Sequence, residues 1–219
     1  MGIVTRAGCF AEYVALPLRN LHRLPAAVPD ECAVFVEPLA AATEILTQTR
    51  LEPGTKVAVL GDGRLGLLVA QVLKNAGTEV TLVGKHAWKL ELARRWGIRV
   101  ITKSQSKLRA ASVPVVVEAT GSPRGLEEAF RLVCPRGTVV MKSTFHDPAR
   151  FDVTKLVVDE VTLLGSRCGE FPAALDLLQK GQIKVQPLLS RVFPLEEGLE
   201  AFEYLERAAC LKVCLANRQ

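Results

Sequence analysis

The chain has 219 residues, 49% of them hydrophobic and 23% charged, which is enough to bury a sizeable core and too apolar for a disordered polymer. Its net charge of +5 comes with no ladder of aromatic residues and no nucleic-acid-reading motif, so nucleic acid is excluded as the expected partner. The apolar runs are short and broken by charge or glycine, which excludes a membrane span, and the opening MGIVTRAGCFAEY lacks the apolar core of a secretory leader, so the expected location is cytoplasmic.

Residues 1 to 24, with FAEYVALP and LHRLP closed by prolines, read as β-structure. DECAVFVEPLAAATEILTQ has helical periodicity with Asp30 as its N-cap, and LEPGTK is a turn-rich linker. VAVL then reads as a strand, LGLLVAQVLKNAG as a helix ended by Gly77, and EVTLVG as a strand. AWKLELARRWG is a helix ended by Gly97, followed by the strands IRVIT and VPVVVEATG, the helix GLEEAFRLV and the strand GTVVMKS. EVTLLGS is a strand and FPAALDLLQKG a helix; SRVFPL is extended, EEGLEAFEYLERA is a helix and CLKVCLA a last strand. Strands made of continuous Val/Leu runs and alternating with helices imply an α/β fold, a doubly wound parallel sheet of the Rossmann class with helices on both faces.

The segment after VAVL is Gly61-Asp62-Gly63-Arg64-Leu65-Gly66, the G-x-G-x-x-G pattern between a strand and a helix. Gly61 lets the chain turn out of the strand, Gly63 lets the backbone approach a pyrophosphate, and Gly66 lets the helix pack against the sheet. The helix N-terminus then offers free N–H groups and partial positive charge to phosphates. An NAD site usually places a carboxylate at the end of the second strand, where it holds the ribose 2′-OH. Here that place is Gly84, followed by Lys85 and His86. A small residue with cations suits a 2′-phosphate, so NADP is expected, with NAD possible, on Lys85 and His86, and Lys89 is a weaker candidate. The alternative is that Lys85 is a plain surface lysine. The wider basic stretch of Lys85, Lys89, Arg94, Arg95, Arg99, Lys103, Lys107 and Arg109 contains only Glu91 as an acid, and most of it reads as a solvated face. The six cysteines, Cys9, Cys32, Cys134, Cys168, Cys210 and Cys214, form no C-x-x-C pair and are expected to be buried, reduced thiols.

GCFAEYVALP with LHRLP, VFVEPLAAATEIL, VAVLGDGRLG, VVVEATGS, RGTVVMKST, VTLLGSRCGEF, PLLSRVFPLEEGLEAFEYLE and LKVCLA follow one another nearly end to end. Together they resemble the medium-chain dehydrogenase/reductase family, of the zinc alcohol dehydrogenase type. The resemblance implies a remnant of a GroES-like β-barrel and a connecting helix over residues 1–50. It implies an NAD(P)-binding Rossmann domain over 51–185 and a segment returning to the barrel side over 186–219. It also implies that Ala119, Thr120 and Gly121 line a ribose, that Ser143 and Thr144 approach the nicotinamide, and that Gly165 and Ser166 contact its ribose or carboxamide side. Lys212 falls where the family puts a cation near the pyrophosphate, and Arg64 sits at the phosphate turn.

In that family a hydride moves between nicotinamide C4 and an alcohol or carbonyl carbon while zinc polarises the substrate oxygen. A full member carries about a hundred further residues before FAEYV, by the usual size of a domain, with a metal-ligating cysteine, a Gly-His-Glu motif and often a four-cysteine zinc lobe. His22, His86 and His146 match no such motif. Glu37 of VEPLAAA falls at the family's remaining metal-side position, but catalytic zinc needs three protein ligands, so Glu37 is a relic or a helix-start residue and no zinc is expected. The expectation is an alcohol dehydrogenase-like oxidoreductase chain that binds NADP(H), weak or inactive alone, with a small alcohol or carbonyl as substrate if active. The alternatives are a zinc-independent reductase and a non-catalytic nucleotide-binding or interaction protein. A homodimer through the sheet edge near VTLLGS is expected. The strands near FAEYV, short of barrel partners, are expected to expose apolar faces.

Overall fold

A computed structural model of the chain describes residues 7–105, 108–207 and 209–217. The helices α1 (Asp30–Ala33) and α2 (Val36–Gln48) precede β1 (Lys56–Leu60). Then follow α3 (Arg64–Asn75), β2 (Glu79–Gly84), α4 (Ala87–Arg95), β3 (Arg99–Thr102), β4 (Val113–Glu118), α5 (Pro123–Leu132) and β5 (Val133–Met141). The chain continues through α6 (Val153–Val158), β6 (Thr162–Gly165), α7 (Phe171–Gln179), β7 (Leu189–Pro194), α8 (Gly198–Arg207) and β8 (Lys212–Ala216).

Six strands form one parallel sheet in the order β3-β2-β1-β4-β5-β6. A separate parallel pair joins β7 to β8. Continuous apolar strands belong in such a sheet because both faces are covered. Val57 and Val59 of β1 point into the core that holds Leu39, Ile45, Leu67 and Leu68, under α2 and α3. Ala58 and Leu60, one residue out of phase, point into the core that holds Leu126, Ala129 and Phe130 of α5. Leu67, Leu68 and Leu73 are fully buried, each worth about 1.5–3 kcal/mol of transfer free energy.

Strand order reverses between β1 and β4, which leaves a crevice at their carboxyl ends. The backbone closes there: Gly61 N–H donates to Val83 O and Ala119 N–H to Leu60 O. The chain therefore delivers the turns after β1, β2 and β4 to one place.

Three expectations need correction, and one helix was not expected. Residues 7–24 form no strand; they hold a single 3₁₀ turn at Leu18–Asn20, and residues 1–6 lie outside the described residues. A strand exists only where a neighbour takes its hydrogen bonds, and no described segment pairs with FAEYV. The segment instead lies along α8 and β8, with Phe10 edge-on to Phe202 and Glu12 O accepting from Asn217 Nδ2. Phe10 and Tyr13 remain 70% and 91% exposed.

The helix expected from Asp30 breaks at Val34–Phe35, and Pro29 rather than Asp30 stands at its N-cap. Pro29 O accepts from Cys32 and Ala33, so Asp30 is already helical. Helix α6 was not foreseen, although Asp152 caps it by accepting from Thr154 and Lys155 N–H. Cys32 alone of the six cysteines is buried; Cys9 and Cys168 are exposed and the others intermediate, all as free thiols. Among the described residues no helix is long and apolar enough to cross a membrane.

Candidate functional site

The glycine turn is built by close approach. Gly61 has φ +112°, and a Cβ there would stand 2.4 Å from Ala119 O. A Cβ on Gly66 would stand 2.0 Å from Gly61 O, so α3 is pressed onto the turn it leaves. Gly63 differs: nothing lies within 4 Å of where its Cβ would be. Its open side faces no protein, and no side chain caps α3, so the first N–H groups of the helix are available to an anion.

Two cations meet beside that N-terminus. Arg64 is exposed, with its Nη1 3.4 Å from Leu211 O. Lys212, next in the chain, is partly buried with its Nζ 5.6 Å from the Phe35 ring centroid. Burial, and then the Arg64 charge, push the Lys212 ammonium below the usual lysine range. A desolvated lysine beside an arginine is costly unless an anion joins them, and phosphate is such an anion.

The corner after β2 is held from the glycine turn. Asp62 is 6% exposed, and its Oδ2 accepts from Lys85 N–H at 2.8 Å and His86 N–H at 2.7 Å. Its Oδ1 lies 3.0 Å from His86 Nδ1. Burial pushes this carboxyl up, but the His86 amide, the His86 ring and the Lys85 amide outweigh it and hold it below the usual aspartate value. A Cβ on Gly84 would come within 2.5 Å of the Asp62 side chain. Around the corner is a cavity of about 380 Å³, lined by Gly61, Asp62, Gly84, Lys85, His86, Lys103, Ala119, Thr120, Arg124 and Glu128 among others. Lys89 is not among the lining residues, and its Nζ lies 5.2 Å from the Trp88 ring centroid.

The turn after β4 rests on a residue that the motif reading missed. Glu118 is fully buried at the end of β4; its Oε1 accepts from Thr120 N–H at 2.7 Å and Thr120 Oγ1 at 2.6 Å. Its Oε2 has no hydrogen-bond partner among the described residues. The signal was in VVVE, a carboxylate closing an apolar strand, where burial forces it to be bonded. Gly121 N–H donates to Ser143 Oγ at 2.8 Å, which ties the β4 turn to the β5 turn. Thr144, beside Ser143, is exposed.

Lys142 was also missed. Its Nζ donates to Ala41 O at 2.6 Å, Ser166 Oγ at 3.0 Å and Arg167 O at 3.2 Å, tying α2 to the turn after β6. Burial pushes this ammonium down, opposed by Glu44, Cys168 and Glu37. Ser166 is thus engaged by Lys142, while Gly165 O lies 3.5 Å from Gln48 Nε2. Glu37 is exposed in the first turn of α2, and its charge acts on both Lys142 and Lys212. No group of three His, Cys, Asp or Glu that could hold a metal ion occurs among the described residues. Catalytic zinc needs three protein ligands, and the described residues do not assemble such a set around Glu37.

The fold places Gly61 to Gly66, Gly84 to His86, Ala119 to Gly121, Ser143, Thr144, Gly165 and Ser166 at the carboxyl ends of β1, β2, β4, β5 and β6, and Lys212 is brought in from outside the sheet beside Arg64. Residues 65–180 match the family described as zinc-binding dehydrogenase. An L-threonine 3-dehydrogenase of Bacillus licheniformis is 30% identical over 223 residues, covering 95% of this chain and 64% of that protein. The chain thus spans just under two thirds of the length of such relatives. Among solved structures, a Sinorhizobium meliloti protein described as a zinc-binding dehydrogenase, bound to NADP, superposes with a TM-score of 0.87 at 28% identity, over 96% of this chain and 67% of that one. A short chain alcohol dehydrogenase of Escherichia coli complexed with NADH gives a TM-score of 0.84 at 27% identity, over 92% and 64%.

Proposed function

We propose that this chain, which belongs to the zinc-binding dehydrogenase family, binds a nicotinamide dinucleotide, NADP(H) in preference to NAD(H), as the coenzyme half of an alcohol or carbonyl oxidoreductase. The observation that carries this reading is the convergence of Arg64 and the partly buried Lys212 on the uncapped N-terminus of α3, behind a turn with one open glycine face. That arrangement suits a pyrophosphate. When bound, the coenzyme supplies or accepts a hydride. The protein's part is to bind and orient it: Arg64 and Lys212 at the pyrophosphate, the Ala119–Gly121 turn at a ribose, and Ser143, Thr144, Gly165 and Ser166 toward the nicotinamide.

The preference for NADP(H) rests on charge. Lys85, His86, Lys103 and Arg124 line the cavity beyond β2. The carboxylates there are occupied: Asp62 by amides and imidazole, and Glu128 by Arg131 at 2.7 Å. The remaining field favours a 2′-phosphate. The described residues assemble no three-ligand group, so no step through a metal is assigned here, and the expectation for this chain alone is weak or absent turnover. The same observation favours a second reading, a zinc-independent reductase or a non-catalytic nucleotide-binding protein. The edge strand β6, preceded in the chain by exposed Val153, Val157 and Val158, is the proposed homodimer contact.

The test is a thermal shift with NADPH and NADH at equal concentration, since a ligand that binds the native state raises its stability. A larger shift with NADPH is expected. No shift with either coenzyme refutes the reading. Turnover of chelated protein on a carbonyl panel separates the reductase from the non-catalytic alternative, and light scattering showing only a monomer removes the dimer.

A further inference from the structure

The Gly84 position looks at first like space left for a ligand. The structure gives it another use. The atoms a Gly84 side chain would strike are Asp62 Cβ, Cγ and Oδ2, all within about 2.6 Å. Gly84 is small so that Asp62 can cross from the glycine turn to the end of β2. There the carboxylate meets both amides of the corner and the His86 ring. A carboxylate only accepts, so the His86 nitrogen facing it, Nδ1, carries the proton, and Nε2 is on the other side of the ring. His86 is about half exposed and lines the cavity with Lys85.

We propose that Asp62 is a coenzyme-selecting positioning residue, which grips the corner after β2 and aims His86 and Lys85 at a 2′-phosphate on the adenosine ribose. This rests on the reading that the site takes NADP(H). The aspartate does not repel the phosphate as a free carboxylate would, because it is buried and its charge is shared among two amides and an imidazole. The other charged groups around the corner are Lys103 after β3 and Arg124 and Glu128 on α5, with Glu128 paired to Arg131. A phosphate dianion placed among them meets Lys85, Lys103, Arg124 and the outer edge of the His86 ring.

The experiment uses 2′,5′-ADP and 5′-AMP as probes, which differ at the 2′-phosphate and do not reach the nicotinamide side. Their affinities are measured by calorimetry for the full chain and for Asp62→Ala, Asp62→Asn, His86→Ala and Asp62→Ala/His86→Ala. The wild type is expected to bind 2′,5′-ADP more tightly. Asp62→Ala and His86→Ala each narrow that preference about tenfold, the scale of one charge-assisted hydrogen bond. The double variant narrows the preference no further than either single one, because both remove the same contact. Asp62→Asn keeps an acceptor for the amides and restores part of the preference.

A wider preference in Asp62→Ala overturns the proposal and makes Asp62 a repelling charge. An unchanged preference in Asp62→Ala or Asp62→Asn while His86→Ala narrows it overturns the proposal too, and leaves His86 acting without Asp62. If Asp62→Ala does not fold, Asp62→Asn and His86→Ala decide. A wild type that binds both probes equally, or favours 5′-AMP, refutes the NADP(H) reading itself, a failure distinct from that of Asp62.

Discussion

Gly63 and Gly66 lie three residues apart in one motif, yet alanine at each should fail in a different way. At position 66 the new methyl carbon falls 2.0 Å from Gly61 O, against an ordinary contact of 3.4 Å or more. Both obstructing atoms are backbone, so the start of α3 must back away by about 1.4 Å. Alanine in a helix recovers up to about 1 kcal/mol of propensity. Forced overpacking costs about 1–3 kcal/mol and more when the backbone must move. The net expectation is a loss of about 2 kcal/mol, which lowers Tm by about 4–8 °C in a chain of this size. At position 63 the backbone sits at φ −72° and ψ 175°, which alanine adopts freely, and no atom lies within 4 Å. Poorer capping and a stiffer unfolded chain offset each other to within about 1 kcal/mol, so the free protein should melt close to wild type. The methyl does project from the open face, where a pyrophosphate would approach, and about tenfold or more of coenzyme affinity should go. Melting curves with and without NADPH read both effects. A Gly63→Ala protein that melts as low as Gly66→Ala, or that binds NADPH like wild type, would refute this account of the turn.

Three further outcomes follow from the charges. Lys212→Met should raise the melting temperature of the free protein while weakening NADPH binding about tenfold, the scale of one charged hydrogen bond. Burial lowers the folded ammonium's pKa, so its charge costs stability at neutral pH, and that cost fades as pH rises through the folded value. A Lys212→Met protein less stable than wild type at pH 7 would contradict this. For Asp62 the sign reverses: its folded value is depressed, so its contribution is complete above the ordinary aspartate value and is lost as pH falls through the folded value. Wild type should therefore lose stability more steeply than Asp62→Asn in acid, in denaturant titrations run from neutral pH downward. Chelation should leave NADPH affinity unchanged, because the described residues assemble no three-ligand metal group; a chelator-dependent loss in calorimetry would overturn that.

The parallel α/β class of the sheet and the glycine turn at its carboxyl edge were legible in the chain because both follow from local signals. Apolar runs bounded by glycine mark the strands, and Gly77 and Gly97 end their helices with positive φ as expected. The turn at Gly61–Gly66 carried its own reason in three glycines. FAEYV carried an equally good strand signal and forms none, since periodicity describes a face but does not supply the neighbour that pairs with it. Helix α6 was missed although Asp152 announced it, because only six residues follow the cap.

What the sequence by itself determined is the set of elements whose hydrogen bonds close within a few residues, and the glycines those elements require. Tertiary structure decided which side chains serve them. Asp62 reaches His86 across 24 positions, Lys142 reaches Ala41 across 101, and Arg64 reaches Leu211 across 147. Gly84 shows the difference most plainly. As a sequence position it is an absent carboxylate; in the fold it is the space through which Asp62 brings one in. Local pattern constrains the backbone, but the partner of a buried charge is set by which strands lie side by side, and that order is a property of the whole sheet.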